Sequence, residues 1–100
     1  MSTFASVLHP VPENKNGTVG AGVSSAEISI GNNRIFVLNA DQDVMIKFGL
    51  TGMSAATATD FRIMANTYVI FDMGTQVGFI RLFNNGASTA NWFVQYLSKV

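Results

Sequence analysis

Apolar and polar residues alternate through most of this 100-residue chain, as in the stretch DVMIKFG from Asp43 to Gly49. A period of two residues is that of a β-strand, because successive side chains point to opposite faces of a sheet. The pattern predicts a strand with Val44, Ile46 and Phe48 in the core. Met45 and Lys47 would then face water.

The same reading predicts seven strands and no required helix. Their segments are SSAEISI (24–30), RIFVLN (34–39), DVMIKFG (43–49), FRIMA (61–65), TYVIFDM (67–73), QVGFIRLF (76–83) and ANWFVQYLSKV (90–100). We expect the first three to form a meander, LTGMSAATATD (50–60) to be the longest loop, and Asn85-Gly86 to turn with positive φ. Seven short strands with turns at this spacing predict one all-β domain over residues 23–100, an antiparallel sandwich or a jelly-roll-like fold.

Residues 1–22 have a different composition, with both prolines, Pro10 and Pro12, and several glycines and asparagines. This composition disfavours regular structure and predicts an extended arm. Apolar side chains would be wasted on a free tail, so we expect the arm to lie on a neighbouring subunit. The contacting residues would be Phe4, Val7, Leu8 and Val11. A disordered leader is the alternative.

Some predicted strands are apolar on both faces. In QVGFIRLF, Gly78, Ile80 and Leu82 share one face, and the other face carries Val77, Phe79, Arg81 and Phe83. Only one face of a sheet can line the domain's own core. We therefore predict that the second set forms an oligomer interface, where aromatic residues and arginine are enriched. The segment NWFVQYL has the same two-sided character.

Composition supports a covered surface and excludes several functions. Charged residues make up 12% of the chain, whereas about 25% is usual. A surface rich in Ser, Thr, Asn and Gly is the alternative explanation. The net charge is zero and the charges are scattered, so the sequence has no basic stripe. We therefore expect neither nucleic acid nor an anionic membrane as a partner. The chain has no cysteine, no secretory signal pattern and no apolar run long enough to span a membrane.

No constellation predicts catalysis, a cofactor or a metal. His9 is the only histidine and has no carboxylate close in sequence. Asp41-Gln42-Asp43 begins like a calcium loop but lacks its glycine and glutamate, so we interpret both aspartates as turn caps. The segment GTVGAG (17–22) lacks the lysine and the preceding strand of a phosphate loop.

Two sets of side chains have alternative interpretations. Arg34, Arg62 and Arg81 are expected to reach a rim or a carboxylate of another subunit, with Asp60 and Asp72 as candidate partners. Trp92, Tyr68 and Tyr96 fall in apolar strands, which favours core or interface packing over a platform for sugar rings.

From about residue 39 the chain resembles small virion proteins of tailed bacteriophages. The resemblance rests on DQDVMIKFG, SAATATD, MANTYVIF and GTQVGFIRLFNNGASTANWFVQYL, which follow the order of a strand ending in Ile-basic-Phe-Gly, a variable loop, an apolar strand, a Gly-led strand, an Asn-Gly turn and a final apolar strand. It covers about 60 residues and leaves the N-terminal arm unmatched.

The resemblance implies an all-β head decoration, or cement, protein, synthesised in the host cytoplasm and located on the outer capsid surface. It would bind the major capsid protein, commonly as a homotrimer, and stabilise the shell without enzymatic activity. A module that binds carbohydrate or a receptor through Trp92, Tyr68 and the 50–60 loop is one alternative. A tail or neck connector of the same virion is another.

Overall fold

The computed structural model describes residues 8–31, 34–74 and 77–99, and every regular element within those ranges is a β-strand. The strands are β1 (Leu8–Val19), β2 (Ile28–Ser29), β3 (Ile35–Ala40), β4 (Val44–Gly49), β5 (Phe61–Ile63), β6 (Val69–Asp72), β7 (Phe79–Asn84) and β8 (Ala90–Lys99). The all-β prediction is confirmed. Strands β2 to β8 coincide, in order, with the seven predicted segments, and only β3 and β7 extend beyond them, by one residue each.

The strands form two four-stranded antiparallel sheets packed as a sandwich. Sheet A has the order β1-β8-β3-β6, and sheet B has the order β2-β7-β4-β5. Chain neighbours therefore lie mostly in opposite sheets, with only β4 and β5 adjacent in the same one. This order is that of a jelly roll, in which the chain wraps around a core shared by two sheets. The predicted meander of β2, β3 and β4 is wrong. β2 and β4 belong to sheet B, whereas β3, which lies between them in the chain, belongs to sheet A.

The core forms where the alternation predicts it. In sheet A, Phe36 and Leu38 of β3 point inward beside Val94 and Tyr96 of β8, and the four side chains are almost fully buried. In sheet B, Val44 and Ile46 face the same core and pair with Asn84 and Leu82 of β7. Burying the apolar faces of both sheets against each other is the main stabilising contribution of such a sandwich.

Phe71 of β6 is the centre of an aromatic cluster that closes one side of the core. Its ring centroid lies 5.5 Å from that of Phe36, 5.2 Å from that of Phe48 and 6.1 Å from that of Phe61. The Phe61 contact is edge to face, a favourable arrangement for two aromatic quadrupoles. These contacts connect β6 of sheet A with β4 and β5 of sheet B.

Much of the predicted arm is a strand of the domain. Leu8–Val19 forms β1 and pairs with β8 from Leu8↔Lys99 to Val19↔Ala90. Composition disfavoured regular structure there, but an edge strand hydrogen-bonds on one side only, so it tolerates prolines. The ladder register shifts between Pro10 and Asn14, and Gln95 Nε2 donates to the carbonyls of Val11 (2.7 Å) and Glu13 (3.1 Å) inside that bulge. Phe4 and Val7 lie outside the described residues.

Gly17 provides the space for the single tryptophan. It pairs directly with Trp92 across the β1/β8 ladder, and Trp92 is buried on the inner face. A Cβ atom at position 17 would lie 2.8 Å from Trp92 Cζ2, closer than real carbon atoms approach. The glycine therefore serves close packing.

One polar side chain, Asn84, is fully buried in the core. Its Nδ2 donates to the carbonyls of Val19 (3.0 Å) and Ser88 (2.7 Å), and its Oδ1 accepts from the N–H of Gly86 (2.8 Å). Hydrogen-bonding its amide on both sides compensates for removing it from water. Asn84 thereby fixes the end of β1 against the β7–β8 connection.

The Asn85-Gly86 connection turns as expected but without positive φ, which the described residues show at Asn66 and at four other glycines. Gly86 is required for a different reason. A Cβ there would lie 2.2 Å from Oε1 of Gln42.

Candidate interaction surfaces

The outer face of β7 carries the predicted oligomer interface, and the chain itself shields part of it. Val77, Phe79, Arg81 and Phe83 are all half-buried. Val77 packs against the core cluster. Arg81 donates from Nε to the carbonyl of Ser25 at 2.8 Å and from Nη1 to the carbonyl of Met53 at 3.0 Å. The arginine thus holds two segments of its own chain, and association of copies through this face stays a prediction.

The loop at residues 50–60 supplies most of this cover. Ala56 is buried, and its N–H donates to Ser24 Oγ at 3.0 Å. The N–H of Met53 donates to Glu27 Oε2 at 2.8 Å, and Lys47 hydrogen-bonds Ser54. The loop is therefore fastened across the outside of sheet B.

Met45 shows the consequence of that cover. It points to the outer face, as predicted, between Phe83 of β7 and Arg62 of β5. It is nevertheless buried, so the expectation that it faces water is wrong. Strand alternation predicts the face on which a side chain lies, whereas its exposure depends on what crosses that face.

The outer face of sheet A carries apolar side chains that remain more accessible. Three cross-strand rows on β8, β3 and β6 contribute to it: Phe93↔Asn39, Gln95↔Val37↔Ile70 and Leu97↔Ile35↔Asp72. Phe93 and Ile70 are exposed, and the other apolar members are half-buried. We call the side chains of Ile35, Val37, Ile70, Phe93 and Leu97 the sheet A patch. Among its cross-strand neighbours in these rows, only Asp72 is charged.

A groove of about 540 Å³ opens beside the sheet A patch. Its lining residues are Val11, Glu13, Arg34, Ile35, Asp72, Leu97 and Ser98. Arg34 bonds Glu13 at 3.1 Å, and its guanidinium carbon lies 4.0 Å from the centroid of the Tyr96 ring. Two carboxylates and one guanidinium give the lining a net negative charge, and Val11, Ile35 and Leu97 add apolar surface, which fits the cationic head and aliphatic stem of a lysine or arginine.

The sequence did not predict this groove, because its walls come from four segments that lie far apart in the chain. The apolar residues on both faces of RIFVLN were the available signal for the patch, since Ile35 and Val37 have no place in the core when Phe36 and Leu38 occupy it.

Within the chain, Arg34 and Arg62 form ion pairs with carboxylates other than Asp60 and Asp72. Arg62 pairs with Asp43, and Arg34 with Glu13. Asp60 instead accepts from the N–H of Thr57 (2.8 Å), and Asp72 from the N–H of Gly74 (3.2 Å). Within the described residues of one chain, neither aspartate pairs with an arginine, and a pairing between subunits stays a prediction. Both aspartates act locally on the backbone, as short acceptor side chains commonly do in turns.

The sequence indicates turn caps at Asp41 and Asp43, but their side chains bond to segments far away in the chain. Asp41 accepts from the side-chain amide and the N–H of Asn91, both at 2.8 Å, which lowers its pKa. Asp43 accepts from Arg62 and from the N–H of Ala65, and these bonds lower its pKa. Both groups are thus stabilised as carboxylates by fixed donors.

The aromatic residues do not form a sugar platform. Trp92 and Tyr96 point into the core and are buried, and burial raises the pKa of Tyr96. Tyr68 is exposed, at the far side of sheet A beside β6. Core packing is confirmed for two of the three, so the platform that needs Trp92 and Tyr68 together does not assemble.

His9 is exposed on β1. Within the described ranges, no group of three or more His, Cys, Asp or Glu side chains is placed to hold a metal ion. No helix in that part of the chain is long and apolar enough to cross a membrane.

Comparison of the chain with protein-family models gives no match, and comparison with curated proteins gives none either. Among solved structures, the fold is similar to a de novo designed double-stranded β-helix determined by solution NMR. The two share 16% sequence identity and a TM-score of 0.60, over 84% of this chain and 97% of the designed one. A likeness at this identity concerns the fold alone, and it agrees with the strand order of the two sheets.

Proposed function

We propose that this protein is a non-enzymatic virion protein that binds the outside of a phage capsid and stabilises it by bridging major capsid subunits. The proposal rests on the resemblance of residues 39–100 to small phage virion proteins. The observation that supports it is the sheet A patch, an apolar surface with almost no charge on a small domain. The centres of protein interfaces are depleted of charged residues in the same way.

The location of β1 adds to this argument. Leu8 and Pro10 pair with β8 at the same end of sheet A as Leu97 and the groove. Leu8, the residue that follows Phe4 and Val7 in the chain, therefore lies at the end of sheet A that carries the groove. One capsid contact would combine the N-terminal residues, the patch and a cationic side chain in the groove. A ligand that binds only the assembled shell stabilises that shell by mass action.

The experiment is a binding assay with heads assembled without this protein. Purified protein is added, and co-sedimentation and the melting temperature of the heads are measured. We expect binding and a higher melting temperature for the wild type. Phe93→Asp should abolish both, because it places an unpaired charge in the middle of the patch.

The matched control is Leu50→Asp, which changes another exposed apolar residue, directly after β4 of sheet B. It should bind as the wild type does. Loss of binding in both variants, or in neither, would contradict the assignment of the patch. Failure of the wild type to bind any head would overturn the proposed function itself.

The arm needs a narrower test than removal of residues 1–22. That deletion would take away β1 and the packing of Gly17 on Trp92, so it would damage the fold. The substitutions Phe4→Ser and Val7→Ser, made together in the full chain, leave β1 intact. We expect weaker head binding with an unchanged melting temperature of the free protein, and unchanged binding would exclude the arm from the contact.

A further inference from the structure

The side of the sandwich formed by β5 and β6 is the most apolar exposed surface of the protein. Of the seven large apolar side chains exposed in the described ranges, four lie between residues 61 and 70: Phe61 (59%), Met64 (54%), Tyr68 (75%) and Ile70 (56%). β5 and β6 are the end strands of their sheets, and Phe61 touches Phe71 between them. Clustering on one side points to a contact surface, whereas scattered apolar residues need no explanation.

The backbone of β6 is also open on this side. The N–H of Met73 donates to the carbonyl of Arg34 at 2.8 Å, next to the paired residues Asp72↔Ile35. In an antiparallel ladder the hydrogen-bonded pairs recur at every second residue. Phe71 and Val69 therefore bond to β3 as Met73 does. The N–H and carbonyl groups of Ile70 and Asp72 point away from β3, toward the free edge.

The other three edge strands are protected against pairing with another chain. β1 carries Pro10, Pro12 and a register shift between Pro10 and Asn14. β2 has two residues, and β5 has three with Arg62 in the middle. Prolines, bulges, charges and short length are the usual means of blocking an edge. β6 has four residues, contains no proline and has its only charge at the last position, Asp72.

We propose that β6 pairs antiparallel with β6 of a second copy around a two-fold axis through Ile70, giving a homodimer in which sheet A continues across both copies. In this register Ile70 faces Ile70 of the second copy, and both residues direct backbone groups across the axis. Tyr68 faces Asp72 of the second copy, which gives the phenol O–H a carboxylate acceptor. The pairing is self-complementary, as a two-fold contact must be.

The same axis brings the remaining exposed apolar side chains together. Phe61 and Met64 lie beside β6 on the sheet B side, so dimerisation covers them along with Tyr68 and Ile70. Backbone bonds give such a strand addition its geometry, and the flanking apolar side chains add the buried area. The dimer leaves Phe93 and Leu97 accessible, so it does not depend on the proposed capsid contact.

The test is the mass of the full-length protein in solution, by sedimentation velocity and light scattering over a wide concentration range. We expect a species of twice 10.8 kDa that dissociates on dilution. A monomer at every concentration up to the solubility limit would overturn the proposal. So would a mass of three chains, which is the trimer implied by the phage resemblance.

Two variants distinguish pairing of the β6 edges from non-specific hydrophobic association. Ile70→Lys puts like charges opposite each other across the axis and should raise the dimer dissociation constant by about tenfold or more. Ile70→Pro removes the N–H that points toward the second copy and should also give a monomer. The variant should still fold, since proline is tolerated in edge strands. Circular dichroism checks that each variant is folded.

The matched control is Phe93→Lys, the same kind of change on sheet A but away from the edge. It should keep the dimer. An intact dimer in folded Ile70→Lys, or a monomer in Phe93→Lys, would refute pairing through β6.

Discussion

Asn84 offers the sharpest test of the packing, because it is the one fully buried polar side chain among the described residues. Asn84→Ala removes two donors and one acceptor at once. The carbonyl of Val19, a buried residue, then loses its side-chain donor, whereas Ser88 is exposed and its carbonyl can bind water. Leaving a buried polar group without a hydrogen bond costs about 1–3 kcal/mol. The carbonyls of Val19 and Ser88 and the N–H of Gly86 each lose a partner, so we expect the free energy of unfolding to fall by about 3 kcal/mol.

A loss of that size is a large part of the roughly 5–15 kcal/mol that stabilises a domain of this kind. Asn84→Asp should be worse at neutral pH. It keeps an acceptor for the N–H of Gly86, but it turns carboxylate oxygens toward the carbonyls of Val19 and Ser88 in a site without solvent.

The assay is urea unfolding followed by tryptophan fluorescence, with the free energy of unfolding taken from a two-state fit. Asn85→Ala is the matched control, since the neighbouring side chain is exposed and should cost less than about 0.5 kcal/mol. The reasoning is refuted if Asn84→Ala and Asn84→Asp both stay within about 1 kcal/mol of the wild type, because the network would then contribute no more than a surface contact. Equal losses in the Asn84 and Asn85 variants would point to general damage at the turn.

Three further predictions follow from the packing and the caps. Gly17→Ala should lower the free energy of unfolding by about 1–3 kcal/mol, because its methyl group collides with Trp92, and urea titration measures the loss. The bond with Arg62 is the main reason that the pKa of Asp43 is lowered. This carboxylate therefore stabilises the fold at pH values above its unfolded pKa, and the contribution disappears as the pH falls through the folded pKa. Between pH 5 and pH 2, the melting temperature of Asp43→Asn should decline less than that of the wild type. Arg81→Met should release the loop between β4 and β5, seen as faster amide exchange at Met53 and Ala56 with β8 unchanged, and equal exchange rates would show that Arg81 does not hold it.

The alternation along the chain was sufficient to predict seven of the eight strands and, for DVMIKFG and QVGFIRLF, the face that lies in the core. It could not assign strands to sheets, because the two sheets present identical patterns to a shared interior. The meander failed for this reason at β3. β1 was missed because its prolines count as evidence against regular structure. They are compatible with an edge strand whose bulge is bonded by the Gln95 side chain.

The interaction surfaces divide in the same way. A strand with two apolar faces, such as NWFVQYL, indicates an outward apolar surface, and Phe93 and Leu97 lie on the outer face of sheet A. Whether that surface stays open depends on loops whose path has no local signature. On sheet B the loop at residues 50–60 crosses Met45 and Arg81, and on sheet A no described segment crosses Phe93.

The ladder between β1 and β8 has a consequence for how the protein folds. From Val19↔Ala90 to Leu8↔Lys99, every paired position joins residues about 70 to 90 apart in the chain. Closing loops of that length costs entropy before any contact compensates for it, so assembly of sheet A should be slow. On the ribosome, β1 has no partner until β8 has emerged, so sheet A of the nascent protein cannot form before residues 90–99 have been synthesised.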